Sequence, residues 1–336
     1  MRIALVGLGL IGRERLRAVD VLRQRGLPVE LDCCHDPYVR NSVEVVRNSD
    51  ISICANLDEL VARKPDLTVV SVPHDIAINT TKQLLNAHLS VLVEKPLGRS
   101  LEEARAISAC CTRPRQLWVG QTFRFFTGIT RLISDLREGW FGRPVGLSML
   151  LGHGGAPSDR ESWKLDKIRA GGGALIDPGI HLLDLCRIAG SSLELIGGAS
   201  WNGFWKTGIE EECRLLMGST LIPMIDVTIS VVRWRSTFRM ELFGEDGYGI
   251  VEGRGRSYGV QEYRRGRRWG WQSGDPQRET EEIVVVTSGE DVFADELAAL
   301  LFGDKTENLF PSPCSVQEAI ENMTILDAVR ARLDLH

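Results

Sequence analysis

The chain has 336 residues, of which 43% are hydrophobic and 25% charged, and 45 acidic side chains against 40 basic ones leave a net charge of −5. That length supports two domains with cores of their own. The mild acidity gives no global attraction for nucleic acid or an anionic membrane, and no apolar run reaches the ~18 residues that span a bilayer. The first apolar run leads straight into Arg13, Glu14, Arg15 and Arg17 with no small-residue cleavage site, so a signal peptide is not expected. Eight cysteines (Cys33, Cys34, Cys54, Cys110, Cys111, Cys186, Cys213 and Cys314) show no C-x-x-C spacing, and several lie in apolar segments. They read as small buried hydrophobes in a reducing, cytoplasmic compartment, with neither a disulfide frame nor a zinc site.

In chain order, Arg2–Val6 is a short apolar run suited to a buried parallel strand. Gly7, Gly9 and Gly12 follow at G-x-G-x-x-G spacing and open an amphipathic segment, Ile11–Arg25. The first glycine permits a tight turn, the second a close approach of backbone to a pyrophosphate, and the third close packing of helix on strand. The helix start, with Leu10 and Ile11, offers free N–H groups to phosphate. A second strand, Val29–His35, ends at Asp36, where a carboxylate accepts hydrogen bonds from an adenosine ribose and repels a 2′-phosphate. The competing reading is a glycine-rich turn in another α/β domain, with Asp36 capping a helix.

The alternation continues. Helices are predicted over Tyr38–Arg47, Leu57–Lys64, Ile76–His88 and Leu101–Cys111, the last capped by Ser100 with Glu103 at capping-box distance. Strands are predicted over Ile51–Ala55, Leu67–Val72, Ser90–Val93 and Gln116–Val119. Repeated β-α units imply a doubly wound parallel sheet, which binds ligands at the carboxyl ends of its strands. Gly7, Asp36, Pro73 and Lys95 all fall there.

From about Gln121 the pattern changes. Phe126–Glu138 reads as a helix and Pro144–Leu151 as a strand. Asp177, with Pro178 at the first helical position, starts a helix that runs to about Ala189. Strand-like segments dominate Leu193–Thr287, including Glu211–Met217, Pro223–Val232, Ser236–Phe243 and Ile283–Val286, and predict a mostly antiparallel sheet. Glu290–Leu301 and Ser315–Leu333 are helical. The domains expected are 1–120, which binds the dinucleotide, and 121–336, which binds substrate and mediates assembly.

Lys95, where the fifth strand ends, is either a surface lysine in a turn or a group that donates to a substrate oxygen, its pKa lowered by desolvation and by a cationic nicotinamide. Asp177 and His181 share one face of a helix start. An N-cap aspartate and a core histidine explain the pair as well as a general acid/base with its orienting carboxylate does, and Asp184 is a second candidate orienter. No second histidine stands at metal-ligand spacing, so no metal is expected. The Arg254–Trp271 segment, with six arginines, two tyrosines and two tryptophans, is either an anion-binding patch or a solvated hairpin with cross-strand aromatic pairs; the hairpin is preferred. His153 lies in a glycine-rich loop that lines a pocket in the functional reading.

Three segments together resemble the Gfo/Idh/MocA family of oxidoreductases. They are Gly7–Gly12, Val91-Leu92-Val93-Glu94-Lys95-Pro96-Leu97, and Gly171-Gly172-Gly173-Ala174-Leu175-Ile176-Asp177-Pro178-Gly179-Ile180-His181-Leu182-Leu183-Asp184. Trp163, the Phe123-Arg124-Phe125 segment and the Ser315–Val329 helix also match, so the resemblance covers essentially the whole chain. It implies a Rossmann domain followed by an α/β domain whose large, open, mostly antiparallel sheet forms a homodimer or homotetramer interface. It implies Lys95, Asp177 and His181 as the catalytic set. His181 takes a proton from a ring hydroxyl as hydride goes to the nicotinamide, Lys95 holds the reacting oxygen, and Asp177 binds a hydroxyl. Cofactor contacts are then expected from Gly7, Gly9, Leu10, Ile11, Gly12, Asp36, Pro73, His74, Glu94 and Lys95, and substrate contacts from Arg124, His153, Trp163, Asp177 and His181. His74 and Ala77 stand where many members have asparagine and histidine, and Phe126-Thr127 where a proline is frequent; these departures bear on substrate identity.

The resulting expectation is an NAD-dependent dehydrogenase or reductase acting on a sugar, nucleotide-sugar, inositol or amino-cyclitol. Arg13 and Arg40 leave NADP open. An NAD-dependent glycosidase using transient oxidation and a non-catalytic dinucleotide sensor are the alternatives.

Overall fold

β1 (Arg2–Val6) is followed by α1 (Leu10–Gln24), β2 (Glu30–His35), β3 (Ser52–Ile53), α2 (Leu57–Ala62), β4 (Leu67–Val70), α3 (His74–Asn86), β5 (Val91–Glu94), α4 (Leu101–Ser108) and β6 (Leu117–Gly120) in a computed structural model that describes residues 1–38, 51–156, 162–269, 281–289, 291–303 and 311–335. The helix expected over Tyr38–Arg47 lies, beyond Tyr38, outside the described residues. The chain separates into two units, one of Met1–Thr122, Ile168–Gly171 and Asp291–Met323, the other of Phe123–Lys167, Gly172–Glu290 and Thr324–His336.

The first unit is built on a sheet of order β6-β5-β4-β1-β2-β3, parallel throughout, with the two-residue strand Cys314–Ser315 added antiparallel on β6. The strands are covered on both faces, so they read as continuous apolar runs; Ile3, Ala4, Leu5 and Val6 are all buried. The chain winds outward from β1 to β3, then returns to β4 on the other side of β1. That reversal puts a topological switch point between β1 and β4, at whose carboxyl ends such sheets bind ligands. α1 buries Gly12, Arg15, Ala18, Val19 and Leu22, a 3.6-residue stripe. The helix Val292–Phe302 joins this core through Ala294, Leu297 and Leu300. Ser100 caps α4 as expected, its Oγ accepting from Glu103 N at 3.2 Å. Glu103 does not close the box on Ser100, however; its carboxylate turns to the backbone N–H (2.7 Å) and guanidinium of Arg99.

The second unit holds α5 (Thr127–Arg137), β7 (Pro144–Gly152), α6 (Ile180–Gly190), β8 (Glu194–Trp201), β9 (Glu212–Gly218), β10 (Met224–Ser230), β11 (Thr237–Gly244), β12 (Gly247–Glu252), β13 (Gln261–Arg267) and β14 (Glu282–Thr287). Their sheet has the order β14-β13-β12-β11-β7-β10-β9-β8. Each pair is antiparallel except β7–β10. A parallel pair needs a crossover, and the segment carrying α6 supplies it. Phe238, Met240 and Leu242 of β11 face the core, while Arg239 and Glu241 between them point the other way. On that other face Arg239 pairs with Glu241 (2.7 Å) and Glu252, and Arg264 pairs with Glu252 (2.8 Å) and Glu262 (3.4 Å).

Two expectations need correction here. Pro178 is not the first helical residue and Asp177 is not the N-cap: the Asp177–Pro178 bond is cis, and α6 begins at Ile180 with Gly179 in the cap position. The Arg-rich hairpin is solvated only in part: Arg256, Arg267 and Arg268 are exposed, whereas other members of the segment are paired. Tyr263 is fully buried and donates to Asp135 Oδ2 at 2.5 Å, Arg265 bonds the same carboxylate at 2.9 Å, and Arg265 and Arg267 lie on the Trp140 ring. Burial and the Asp135 charge push the Tyr263 phenol well above its ordinary range. Trp271 lies outside the described residues.

Candidate active site

Each fingerprint glycine has its own geometric reason. Gly7 has φ +88°, and a Cβ there would come within 2.5 Å of the Ser71 carbonyl oxygen. Its N–H donates to the His35 carbonyl at 2.9 Å, tying the end of β1 to the end of β2. At Gly12 a Cβ would stand 1.9 Å from the Gly7 oxygen, so the first turn of α1 fits against the loop only without a side chain. Gly9 differs: a Cβ there would meet nothing within 4 Å. Gly9 is the N-cap of α1, no side chain caps the helix, and its first turn carries no acid. The positive helix end is thus left without a side-chain cap, and the space beside Gly9 is open, as close approach of a pyrophosphate requires. Leu10, 76% exposed, borders the same space, with Ile11 beside it.

Asp36 is buried, and its carboxylate accepts from Leu8 N (2.6 Å) and Tyr38 N (2.7 Å). It braces the glycine loop, a role that spacing did not reveal. Pro73 caps α3 at the carboxyl end of β4. His74 is buried, its Nδ1 2.8 Å from the Ala170 carbonyl. Glu94 accepts from Arg15 Nε at 2.8 Å, and the fully buried Arg15 also meets Glu296 at 2.6 Å. Burial alone would lower the Arg15 pKa, but the two carboxylates outweigh it and hold it above the ordinary value. Lys95 follows β5 at the same edge of the sheet, half-buried, before a cis Pro96.

In the second unit, His181 sits in the first turn of α6 and is 5% exposed. Its ring stacks on Phe123 with centroids 4.1 Å apart and planes 8° from parallel. Asp177 meets Lys164 Nζ at 2.9 Å, which places Trp163, next to Lys164, in the same short 3-10 turn. The loop before Asp177 hangs on Glu210: Oε1 accepts from Gly173 N (2.9 Å) and Leu175 N (3.1 Å), and the Glu210 carbonyl accepts from Ala174 N (2.8 Å). Arg124 is fully buried and donates twice to Asp184, Nε to Oδ2 at 2.7 Å and Nη2 to Oδ1 at 2.6 Å. This bidentate pair occupies both Asp184 oxygens and fixes Phe123, next to Arg124, against α6. His153 follows β7 and its Nδ1 accepts from Gly155 N at 3.2 Å. Lys164 and Glu210 were not singled out in the sequence. Lys164 adjoins Trp163, and Glu210 opens the acidic run Glu210-Glu211-Glu212, which are the only signals the sequence offers for them.

Among the described residues no group of three or more His, Cys, Asp or Glu side chains is placed to hold a metal ion, and no helix is long and apolar enough to cross a membrane.

Residues 1–121 match the oxidoreductase family with an NAD-binding Rossmann fold, and residues 130–249 match the GFO/IDH/MocA C-terminal domain. The chain belongs to the Gfo/Idh/MocA family. Its first unit is an NAD(P)-binding Rossmann domain. Among relatives of this Gfo/Idh/MocA chain, the rhizopine catabolism protein MocA of Rhizobium meliloti is 28% identical over 188 residues, 55% of this chain and 56% of the relative. The chain spans little more than half the length of such curated relatives, between 55 and 59%. Two solved structures share the fold over 99% of this chain. One is the 3-ketoreductase of Actinomadura kijaniata in complex with NADP and TDP-benzene (TM-score 0.79, 18% identity, 98% of that chain). The other is the aldose-aldose oxidoreductase of Caulobacter crescentus complexed with glycerol (TM-score 0.81, 18% identity, 97% of that chain).

Proposed function

We propose that this protein is an NAD-dependent oxidoreductase that interconverts a ring hydroxyl and a ketone on a sugar, nucleotide-sugar, inositol or amino-cyclitol. The observation that carries the reading is the uncapped, glycine-lined start of α1, with open space at Gly9. Membership of an oxidoreductase family supports it, as do relatives named a myo-inositol dehydrogenase, a 1,5-anhydro-D-fructose reductase and a glucose-6-phosphate 3-dehydrogenase. In this reading residues 1–120 hold the dinucleotide and 121–336 hold the substrate.

A bound nicotinamide supplies a two-electron hydride acceptor or donor. His181 takes the hydroxyl proton as the carbinol carbon gives up hydride, and returns it in the reverse direction. Its stacking on Phe123 fixes the ring plane, so the proton-taking nitrogen has a defined direction. Lys95 donates to the reacting oxygen. Asp177, whose charge Lys164 offsets, binds a neighbouring hydroxyl. Gly7, Gly9, Leu10, Ile11, Gly12, Pro73, His74 and Glu94 shape the cofactor site; His74 and Glu94 act by bracing it, through Ala170 and Arg15. Arg124 acts the same way on the substrate side, through Asp184, with His153 and Trp163 lining that side. Asp36 favours NAD over NADP by charge. Arg40, the candidate for a 2′-phosphate, lies outside the described residues; Arg13 bonds the Leu8 carbonyl at 3.3 Å.

We further propose a cytoplasmic homodimer or homotetramer joined through the face of the large sheet opposite α5. Eight free cysteines suit a reducing compartment. Exposed Ile196, Met224 and Ile283 on the sheet strands offer apolar contact area.

The test is a screen of sugars and polyols with NAD and with NADP, read at the nicotinamide absorbance. Turnover of a ring hydroxyl, lost in Lys95→Ala and His181→Ala while NAD binding persists, is expected. Unchanged turnover in either variant defeats the assignment.

A further inference from the structure

The arginines of the second unit differ in what holds them. Arg143, Arg214, Arg239, Arg264 and Arg265 each pair with a carboxylate. Arg254 lies instead on two aromatic rings, its guanidinium carbon 3.7 Å from the Tyr258 centroid and 5.0 Å from that of Phe123. Its Nε is buried and has no hydrogen-bond partner among the described residues. A half-buried guanidinium with a donor left over is costly unless something supplies an acceptor. An aromatic ring against the guanidinium engages none of its five N–H groups, which all point outward in its plane. The contact steadies the fork without using its donors.

Its place in the fold says which ligand. The Phe123 ring that carries Arg254 is the ring on which His181 stacks. Gly253, next to Arg254, donates its N–H to the Phe238 carbonyl, and Phe238 pairs with Leu151, so Arg254 and His153 stand at the same end of the sheet. A neutral hydroxyl is a weak partner for an always-charged fork, whereas an oxyanion gives charge-assisted, bidentate bonds.

We propose that Arg254 anchors an oxyanion borne by the substrate, phosphoryl or carboxylate, so that the site takes anionic sugars in preference to neutral polyols. This rests on the reading of His181 as the group that takes the substrate proton.

The experiment compares wild type, Arg254→Met and Arg254→Lys on glucose 6-phosphate, UDP-glucose and glucuronate against glucose and myo-inositol. The ratio of kcat/KM for a charged over a neutral substrate is expected to fall about tenfold or more in Arg254→Met, chiefly through KM, and to recover in part in Arg254→Lys. Which charged substrate responds tells a monophosphate from a diphosphate and from a carboxylate. An unchanged ratio for all three overturns the proposal. A second measurement needs no turnover: calorimetric titration of inorganic pyrophosphate into wild type and each variant. The glycine loop contributes equally to all of them, so a loss of affinity in Arg254→Met belongs to Arg254, and equal affinity overturns the assignment. If no sugar is oxidised at all, the oxidoreductase reading fails while this titration still decides on Arg254.

Discussion

The candidate functional regions of the two units are made of different material. The dinucleotide end is built from backbone: a left-handed glycine at 7, a helix start without a side-chain cap at Gly9, and a close approach at Gly12. The other end is built from side chains steadied by side chains far away in sequence. His181 leans on Phe123, Asp177 faces Lys164, and the loop between Gly173 and Leu175 hangs on Glu210. A backbone site depends on where atoms cannot be, and a side-chain site depends on partners. The two should therefore fail differently when mutated, the first by obstruction and the second by loss of support.

The largest effect is expected at Arg124→Ala. It takes the bidentate partner from the fully buried Asp184 carboxylate and leaves it Arg187 at 3.3 Å, at a cost of about 3 kcal/mol in stability. Thermal unfolding checks it; a change of a degree or less in Tm would mean that the pair is not what holds Phe123 in place. Gly12→Ala comes next, at about 2–3 kcal/mol, because its neighbour is a backbone oxygen that has nowhere to go. Both Tm and NADH affinity should fall there.

Glu210→Ala should lower kcat about 10- to 100-fold, since Asp177 and His181 lose a defined position. NADH affinity should hold, and Glu210→Gln, which keeps an acceptor oxygen, should restore most of kcat. Equal loss in Ala and Gln variants would point to charge rather than position. Gly9→Ala sharpens the contrast with Gly12: nothing crowds the new methyl, so Tm should hold while NADH affinity falls about tenfold.

The smallest effect is a pH dependence outside both ends. The Arg63 guanidinium, with Arg2 behind it, holds the Asp32 carboxyl below the usual carboxylate range, against the opposing effect of burial. A depressed folded-state pKa stabilises above the unfolded value and loses that stabilisation as pH falls through the folded one. Asp32→Asn should cost about 1 kcal/mol at neutral pH, since both arginines are partly exposed. The gap to wild type should close in strongly acidic buffer, below the ordinary carboxylate pKa.

Much of the Rossmann unit was legible because its signals are local. The glycine spacing, the apolar strands and the Ser100 cap each act within a few residues, so composition and spacing carry them directly. Where a signal was local but ambiguous, the reading slipped. Asp177-Pro178 has the residue types of a helix start, yet α6 begins two residues later, and Asp177 turns to Lys164 instead of capping. Arg124 shows the same limit. The family resemblance implies a substrate contact there, and only the fold reveals Asp184, 60 residues on, as a partner of its guanidinium.

Residue type and short-range periodicity were enough to read the family and most of the order of strands and helices from the sequence alone. The tertiary structure alone decided which charges are already paired. It gave Glu94 to Arg15, Asp36 to the glycine loop, and the arginines of the β13 hairpin to Asp135, Glu252 and Trp140, and it left Arg254 on two rings. Electrostatic partnership acts through space over a few ångströms, and residues that meet at that range are set by packing of elements remote in the chain, which spacing along one strand of sequence does not record.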